Sequence, residues 1–489
     1  MNITKVTPDA LAGVYALYRE AIEAMRARGL YQWEWGRYPN EAVLSEDVTL
    51  SRLYRVDDET GALGAVFAVC VGQGEEYDQV PWQYGVNPVC LHRLAVSPAM
   101  AGKGMAKAAV AFTKAEGLRL GCDCFRVDTY GQNERALKLF SQSAVREAGT
   151  FRWPNFPDAF HCFEAPLRDD CPLLPIRMRP AYRYGEQTPW GGDALRALFG
   201  KAIPDGRTGE ALEISCIPGL ESTDEQGETL TQLVARNGAA LTGEGNEAPF
   251  PLLLKLLAAK SSLSVQVHPD DAYAMAHENK LGKTEAWVIL HAEAGAELCY
   301  GLKENVTLAA LEAALTSGAD VAPMIATVPV QAGDVLYMPS GMVHAIGGGI
   351  TLYEIQQSSD VTYRLWDYRR VNERGEQRPL HIRQSLDVIE PAAKGLRARI
   401  PEKEQVGTHT VLAVPAFTVG CACVAGELAF TGFAGSFTMV TALDALALCW
   451  QGGMLTLKAG ESALVPARHP SMKWVGVGRA LLAGVGNQG

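Results

Sequence analysis

The sequence predicts a multidomain protein, with an α/β unit first and then a mainly β double barrel carrying helical insertions. Three observations carry this expectation. The chain has 489 residues, more than one ordinary hydrophobic core serves. Its pattern changes near residue 167 and again near residue 385. Finally, the run Val330-Gln-Ala-Gly-Asp-Val-Leu-Tyr-Met-Pro339 returns as Leu457-Lys-Ala-Gly-Glu-Ser-Ala-Leu-Val-Pro466. Each copy reads as a turn followed by a strand that stops at proline, the mark of two related barrels.

In the first part, helical periodicity alternates with short strands. Leu11, Val14, Tyr15 and Tyr18 recur at helical spacing and predict an amphipathic helix. The stretch from Cys90 to Val96 reads as a largely buried strand. A charged, proline-bearing linker follows at Leu167-Arg-Asp-Asp-Cys-Pro-Leu-Leu-Pro175. Beyond it lie short strands with Gly/Pro turns, interrupted by helical patches such as Leu308 to Leu315, and the final segment is rich in strands. The expected domains are 1–167, 168–384 and 385–489.

Composition excludes several classes of function. Hydrophobic residues make up 48% of the chain and the net charge is −11, which disfavours nucleic acid, a partner bound through basic contacts. The opening Met1-Asn-Ile-Thr-Lys5 lacks the charged-then-apolar pattern of a signal peptide. No apolar run reaches the ~18 residues of a membrane helix. The eleven cysteines are scattered, and the pairs Cys122/Cys124 and Cys421/Cys423 lack the usual metal spacing. Reduced, buried thiols and a cytoplasmic location are the expectation.

The chemistry concentrates in the middle third. Gln266 and His268 are two apart on a predicted strand and so share a face. Glu285 and His344 complete a set of two imidazoles, a carboxylate and an amide oxygen, ligands suited to zinc. The spacing Gly333-x5-Pro339-x-Gly341-x2-His344 reproduces the second cupin motif. In the second copy of the repeat the place of His344 falls on Ser471, so one metal site per chain is expected.

The runs Ser264-Val-Gln-Val-His-Pro-Asp-Asp271, Gly282-Lys-Thr-Glu-Ala-Trp287, Pro339-Ser-Gly-Met-Val-His-Ala-Ile-Gly347 and Glu354-Ile-Gln-Gln-Ser-Ser-Asp-Val-Thr-Tyr-Arg364 resemble type I mannose-6-phosphate isomerase. Trp190-Gly-Gly192 and Gly209-Glu-Ala-Leu-Glu-Ile-Ser215 extend the resemblance over about 175–489, with Leu212 where the family commonly has Trp. It implies a cupin fold and zinc held by Gln266, His268, Glu285 and His344. The implied reaction interconverts mannose 6-phosphate and fructose 6-phosphate through an enediolate, the sugar phosphate being the small-molecule partner. Lys283 and Glu354 are the two candidate bases for the carbon-bound proton. Arg364, always charged, suits a clamp on enediolate or phosphate. Lys255 and Ser264 match positions implicated in holding the phosphate.

In the first part, Arg93-Leu-Ala-Val-Ser-Pro-Ala-Met-Ala-Gly-Lys-Gly-Met-Ala106 reads as strand, glycine turn and helix, a geometry that offers N–H groups to a pyrophosphate. With Phe125-Arg-Val-Asp-Thr-Tyr-Gly-Gln-Asn-Glu-Arg-Ala-Leu-Lys-Leu-Phe140 it resembles a GNAT-family N-acetyltransferase. The resemblance implies acetyl-CoA held around Val96, Gly102, Lys103, Gly104, Met105, Ala106 and Asn133, with an amine as acceptor. Ala99, Phe140 and the pair Ala144-Val145 depart from the family pattern. Phe140 stands where many members carry a tyrosine acid and cannot donate a proton. A rival reading keeps both folds and makes the chain a sugar-phosphate-binding regulator with a relic acetyltransferase module.

Overall fold

The computed structural model describes residues 1–371 and 374–486, so the last three residues of the expected 385–489 domain lie outside it. The chain divides into two compact units: Met1–Leu174 with Trp450–Met454, and Pro175–Cys449 with Leu455–Gly489. The first break falls inside the predicted linker.

The first unit is a seven-stranded sheet with helices. Its helix Leu11–Arg26 buries Val14, Leu17, Tyr18, Ala21, Ile22 and Met25, the predicted periodicity, while Leu11 and Tyr15 flank that stripe and are half-buried. The strand Pro88–Val96 pairs in parallel with Cys124–Tyr130, the only parallel pair in this sheet among the described residues. That pairing covers only Pro88 to Cys90 opposite Cys124 to Arg126, so the strands part further along. The helix Met105–Arg119 packs Met105, Ala109 and Val110 on Val89, Leu91, Phe125 and Val127. Strand alternation therefore sends Cys90, His92, Arg126 and Asp128 to the opposite face.

The second unit is built from three sheets. One runs, strand by strand, through Leu396–Arg399, Asp334–Met338, Glu285–Ala292, Ile350–Gln357, Leu252–Ala259, Glu210–Ile214 and Ala181–Arg183. The second runs through Ile325–Pro329, Glu297–Leu302, His344–Ala345, Val265–Val267 and Tyr363–Trp366. Leu257, Trp287, Leu336 and Leu352 of the first sheet share one core with Leu298 of the second and with Val330, Met342 and Ile346 from the loops beside it. The third sheet holds Gly407–Val414, Phe417–Ala429, Met472–Gly484, Thr438–Ala442 and Ser462–Val465. Its edge is Ile176–Met178, recruited from the start of the unit. Leu396–Arg399, which follows the 384/385 division expected from sequence, pairs with Asp334–Met338 in the first sheet.

The repeated turns are alike in backbone. Gly333 and Gly460 both take left-handed φ values, +91° and +79°, and lead into Asp334–Met338 and Ser462–Val465. The predicted helical patch is present as Leu308–Thr316, capped by the Thr307 side chain. No helix among the described residues is long and apolar enough to cross a membrane.

Candidate active site

Two rows of side chains, set by strand register, form this site. Gln266 lies directly opposite His344 on one neighbouring strand and Arg364 on the other, so the three share a face. On the first sheet, Lys255 is opposite Glu354, and Glu354 is opposite Trp287. Glu285, two residues before Trp287, also points to that face. The Trp287 ring meets the His344 ring edge-on at 5.4 Å, which joins the rows.

His268, Glu285 and His344 converge, with one ligand atom from each within 4.8 Å of the others. His268 Nδ1 donates to the Val361 carbonyl (2.9 Å) and His344 Nδ1 to the Met342 carbonyl (2.8 Å). Each ring is thereby held with Nε2 as the lone-pair nitrogen, the orientation a metal requires. Both Nε2 atoms lie close to the Gln266 amide, at 3.5 and 3.3 Å, and a half-turn of that amide presents its oxygen instead. Neither Glu285 oxygen receives a well-aligned hydrogen bond, although Lys283 Nζ is 2.8 Å from one and His344 Nε2 3.1 Å from the other. Even with the Lys283 ammonium beside it, a buried carboxylate without aligned donors has lone pairs to offer a further cation. The donor set therefore fits a divalent metal, and zinc matches its two nitrogens and hard oxygens.

Electrostatics agree with this arrangement. Burial and the Lys283 ammonium hold His268 well below the usual imidazole range. Burial opposes the Glu285 charge, yet Lys283, His268 and His344 outweigh it and keep the carboxyl well below its usual range. Lys283 Nζ also lies 3.0 Å from His268 Nε2, so this amine sits against the ligand cluster.

The second row is a buried ion pair. Lys255 Nζ donates to Glu354 Oε1 at 3.0 Å and lies 3.7 Å from Glu210. Trp287 Nε1 donates to Glu354 Oε2 at 2.9 Å, so both oxygens of Glu354 hold a donor. Burial works against the Lys255 charge, but Glu210 and Glu354 outweigh it and raise its pKa. Of the expected phosphate holders, Lys255 thus stands between two carboxylates, while Ser264 is buried just before Gln266 on the chain. Arg364 Nη1 donates to the Pro379 carbonyl at 2.7 Å, and its buried Nε has no hydrogen-bond partner among the described residues.

Sequence reasoning assigned no role to Glu210 or to the Trp287 indole. The signal for Trp287 was available, since it stands two residues after Glu285 on a strand. Glu210 gave none, because only the pairing of Glu210–Ile214 with Leu252–Ala259 brings it to Lys255.

In the first unit, Val96 ends its strand and the turn at 101–104 leads into the helix Met105–Arg119. Gly102 and Gly104 both have left-handed φ values, +79° and +85°, and no side chain caps the helix start at Met105 and Ala106. Lys103 Nζ lies 3.5 Å from Met100 Sδ, and Met105 is buried in the core. Asn133 Oδ1 accepts from the Ala136 N–H at 3.4 Å, capping Glu134–Ser141. Asn133 and Phe140 also line a cavity of about 1110 Å³.

Comparison with known proteins joins these observations. The family model for the catalytic domain of type I phosphomannose isomerase matches residues 181–294, and that for the GNAT acetyltransferase family matches residues 27–143. A mannose-6-phosphate isomerase of Streptococcus mutans is 46% identical over 204 residues, covering 41% of this chain and 64% of that relative. The Bacillus subtilis mannose-6-phosphate isomerase ManA is 39% identical over 253 residues, covering 50% of this chain and 78% of the relative. The crystal structure of the mannose 6-phosphate isomerase from Bacillus subtilis superposes with a TM-score of 0.57 at 31% identity, over 63% of this chain and 99% of that one. The chain belongs to the type I mannose-6-phosphate isomerase family and carries a GNAT acetyltransferase-family domain ahead of the isomerase region.

Proposed function

We propose that the second unit is a zinc-dependent isomerase that interconverts mannose 6-phosphate and fructose 6-phosphate through an enediolate. The carrying observation is the convergence of His268, Glu285 and His344 beside Lys283, with the Lys255–Glu354–Trp287 row adjoining.

The reaction removes a proton from C2 and returns it at C1, leaving negative charge on the two oxygens in between. Bound zinc, held by Gln266, His268, Glu285 and His344, would supply a positive charge to offset it. Of the two candidate bases, Lys283 is the better placed to move the proton, because its amine lies against the ligand cluster. Glu354 has both oxygens engaged, and its part is to keep Lys255 charged and in line. Arg364, whose Nε has no hydrogen-bond partner among the described residues, offers a fixed cation to the enediolate or the phosphate.

An assay that couples fructose 6-phosphate formation to a dehydrogenase, run with and without chelator, tests this. Turnover that falls on chelation and returns with zinc supports the mechanism. Turnover untouched by chelation overturns the zinc requirement, and none in the zinc-loaded protein favours a regulator.

For the first unit we infer acetyl transfer from acetyl-CoA to an amine. The left-handed glycine turn and the uncapped helix start at Met105 support it, since such a helix end receives phosphate oxygens. Calorimetry with acetyl-CoA is the direct test. All eleven cysteines are free, which supports a reducing compartment such as the cytoplasm.

A further inference from the structure

We propose that the cavity of the first unit is an acceptor site for a compact cationic amine with an apolar body. Its ammonium rests on Asp128, and that carboxylate takes its proton during transfer. This rests on the acetyltransferase reading above and extends it to the second substrate.

The cavity opens where the two parallel-paired strands part. Of the residues expected to hold acetyl-CoA, Asn133 lines it, as do Leu94 and Phe140. At about 1110 Å³ it has room for a small acceptor and the reactive end of a thioester together. Other walls are aromatic: Tyr77, Tyr130, Trp153 and Phe156 all line it. These rings are locked by their neighbours, with Tyr77 4.8 Å from Phe151, Phe151 5.5 Å from Trp153, and Tyr130 5.8 Å from Phe156. Ring faces of this kind attract an ammonium and pack its apolar body.

Two acceptors stand on the cavity wall, and the Asp128 carboxylate also takes a backbone hydrogen bond. Tyr77 OH donates to Asp128 Oδ1 at 2.9 Å, and no side chain among the described residues bonds Oδ2. Gln32 Oε1 is buried with no hydrogen-bond partner among the described residues. An ammonium can donate to acceptors of this kind, where a phosphate or carboxylate cannot.

Charge on the walls points the same way. Arg52 and Arg93 line the cavity but turn their guanidiniums onto the buried Asp47, and Arg37 is exposed. Burial, with Arg93 and Arg52 nearby, lowers His92 to about 4, so that wall residue is neutral at physiological pH. Glu34 and Glu76 line it too but are exposed like Arg37, and Glu34 lies 3.6 Å from Arg26, which leaves Asp128 as the enclosed carboxylate among the lining residues. Burial raises Asp128 to about 6, which makes it a better proton acceptor than an ordinary aspartate.

The chemistry balances with an acyl thioester as the only co-reactant. One proton leaves the ammonium for Asp128 and then solvent, freeing the nitrogen lone pair. The nitrogen attacks the thioester carbonyl, a C–N bond forms and the C–S bond breaks. The second proton shed by nitrogen ends on the departing thiolate. Asp128 is therefore the base, and since Phe140 cannot donate a proton, the one that reaches the thiolate comes from the nitrogen itself.

The test uses the full chain, acetyl-CoA and four acceptors: 2-phenylethylamine, its neutral counterpart 2-phenylethanol, glucosamine 6-phosphate and a short peptide with a free amino terminus. Release of free thiol is followed. The expected result is transfer to 2-phenylethylamine alone. Asp128→Asn should lower kcat/KM by about 100-fold while acetyl-CoA affinity by calorimetry stays unchanged. Trp153→Ala should instead raise KM for the amine with little change in kcat. Preference for glucosamine 6-phosphate or the peptide overturns the proposal, as does an Asp128→Asn enzyme with wild-type rate. Acetyl-CoA binding without transfer to any amine overturns the acceptor assignment alone. Failure to bind acetyl-CoA overturns the transferase reading as well.

Discussion

The isomerase site and the acetyltransferase cleft are both polar clusters set in apolar surroundings, but they are assembled differently. Gln266, His344 and Arg364 stand in one register line across three paired strands, and Lys255, Glu354 and Trp287 in another. Strand pairing fixes those distances before any side chain chooses a rotamer. In the cleft, Asp128 comes from a strand, but Gln32, Tyr77 and Trp153 come from separate connecting segments. A site built on register has little freedom to relax, whereas one built on loops can adjust around a variable ligand. Substitutions in the isomerase site should therefore abolish function outright, and those in the cleft should grade it.

The sharpest way to break this contrast is to remove one converging ligand. His344→Ala leaves two ligands from neighbouring elements and a carboxylate with one fewer neighbour. It should lower kcat by on the order of 10³-fold and reduce bound zinc, measured by the coupled assay and by metal analysis of the same sample. Ser471→His, at the matching place in the second copy of the repeat, should change neither. Around that strand the third sheet offers Thr441 bonded to Ser462 at 2.8 Å, and no second group of convergent metal-binding side chains exists among the described residues. A Ser471→His protein that binds a second zinc would mean that one histidine, rather than the whole register line, makes the site.

A smaller effect separates stability from chemistry within the second row. Lys255→Met leaves Glu354 buried with one donor fewer and should destabilise the unit by about 3–5 kcal/mol in denaturant titration. Pairing it with Glu354→Gln removes the stranded charge and keeps an oxygen for the Trp287 indole, so much of that loss should return. Isomerase activity should not return in the double variant. Recovered activity would show that the row only supports the sheet.

The same contrast explains what could be read from the sequence. Gln266 and His268 are two residues apart at the end of Val265–Val267, Lys283 stands two residues before Glu285 at the start of Glu285–Ala292, and His344 follows a turn marked by Gly333, Pro339 and Gly341. Such short-range spacing writes the side-chain face directly into the chain. Helix Leu11–Arg26 and the linker before Pro175 were legible for the same reason. Pairings between distant segments left no local mark. Ile176–Met178 finds Ser462 to Leu464 only through the assembled fold, and the same holds for Leu396–Arg399 on Asp334–Met338. Lys255 read as a phosphate holder from the family resemblance, and its neighbours Glu210 and Glu354 left no local mark because they lie on other strands. Asp128 sat in plain view in the second acetyltransferase-like run, yet its meaning depends on Tyr77 and on burial, neither of which spacing reveals.

The smallest expected effect is in the cleft, where two buried groups pull stability in opposite directions with pH. Asp128 is raised from 3.8 to about 6, first by burial, so the folded state binds its proton more tightly than the unfolded chain. Stability from this group is therefore lost as pH rises from about 4 to 6. His92 is lowered from 6.5 to about 4, first by burial and then by Arg93 and Arg52, so the unfolded chain takes up a proton that the folded state refuses. Stability from it is lost as pH falls through the same window. Each shift is worth on the order of 3 kcal/mol, and the two nearly cancel. Amide exchange in Pro88–Val96 and Cys124–Tyr130, corrected for intrinsic rates, should accordingly be almost flat between pH 4 and 6.5 in the full chain. Asp128→Asn should make protection fall on acidification, and His92→Gln should make it rise. If both variants stay flat, the two side chains are hydrated, and the cleft is an open loop-lined surface with no enclosed site.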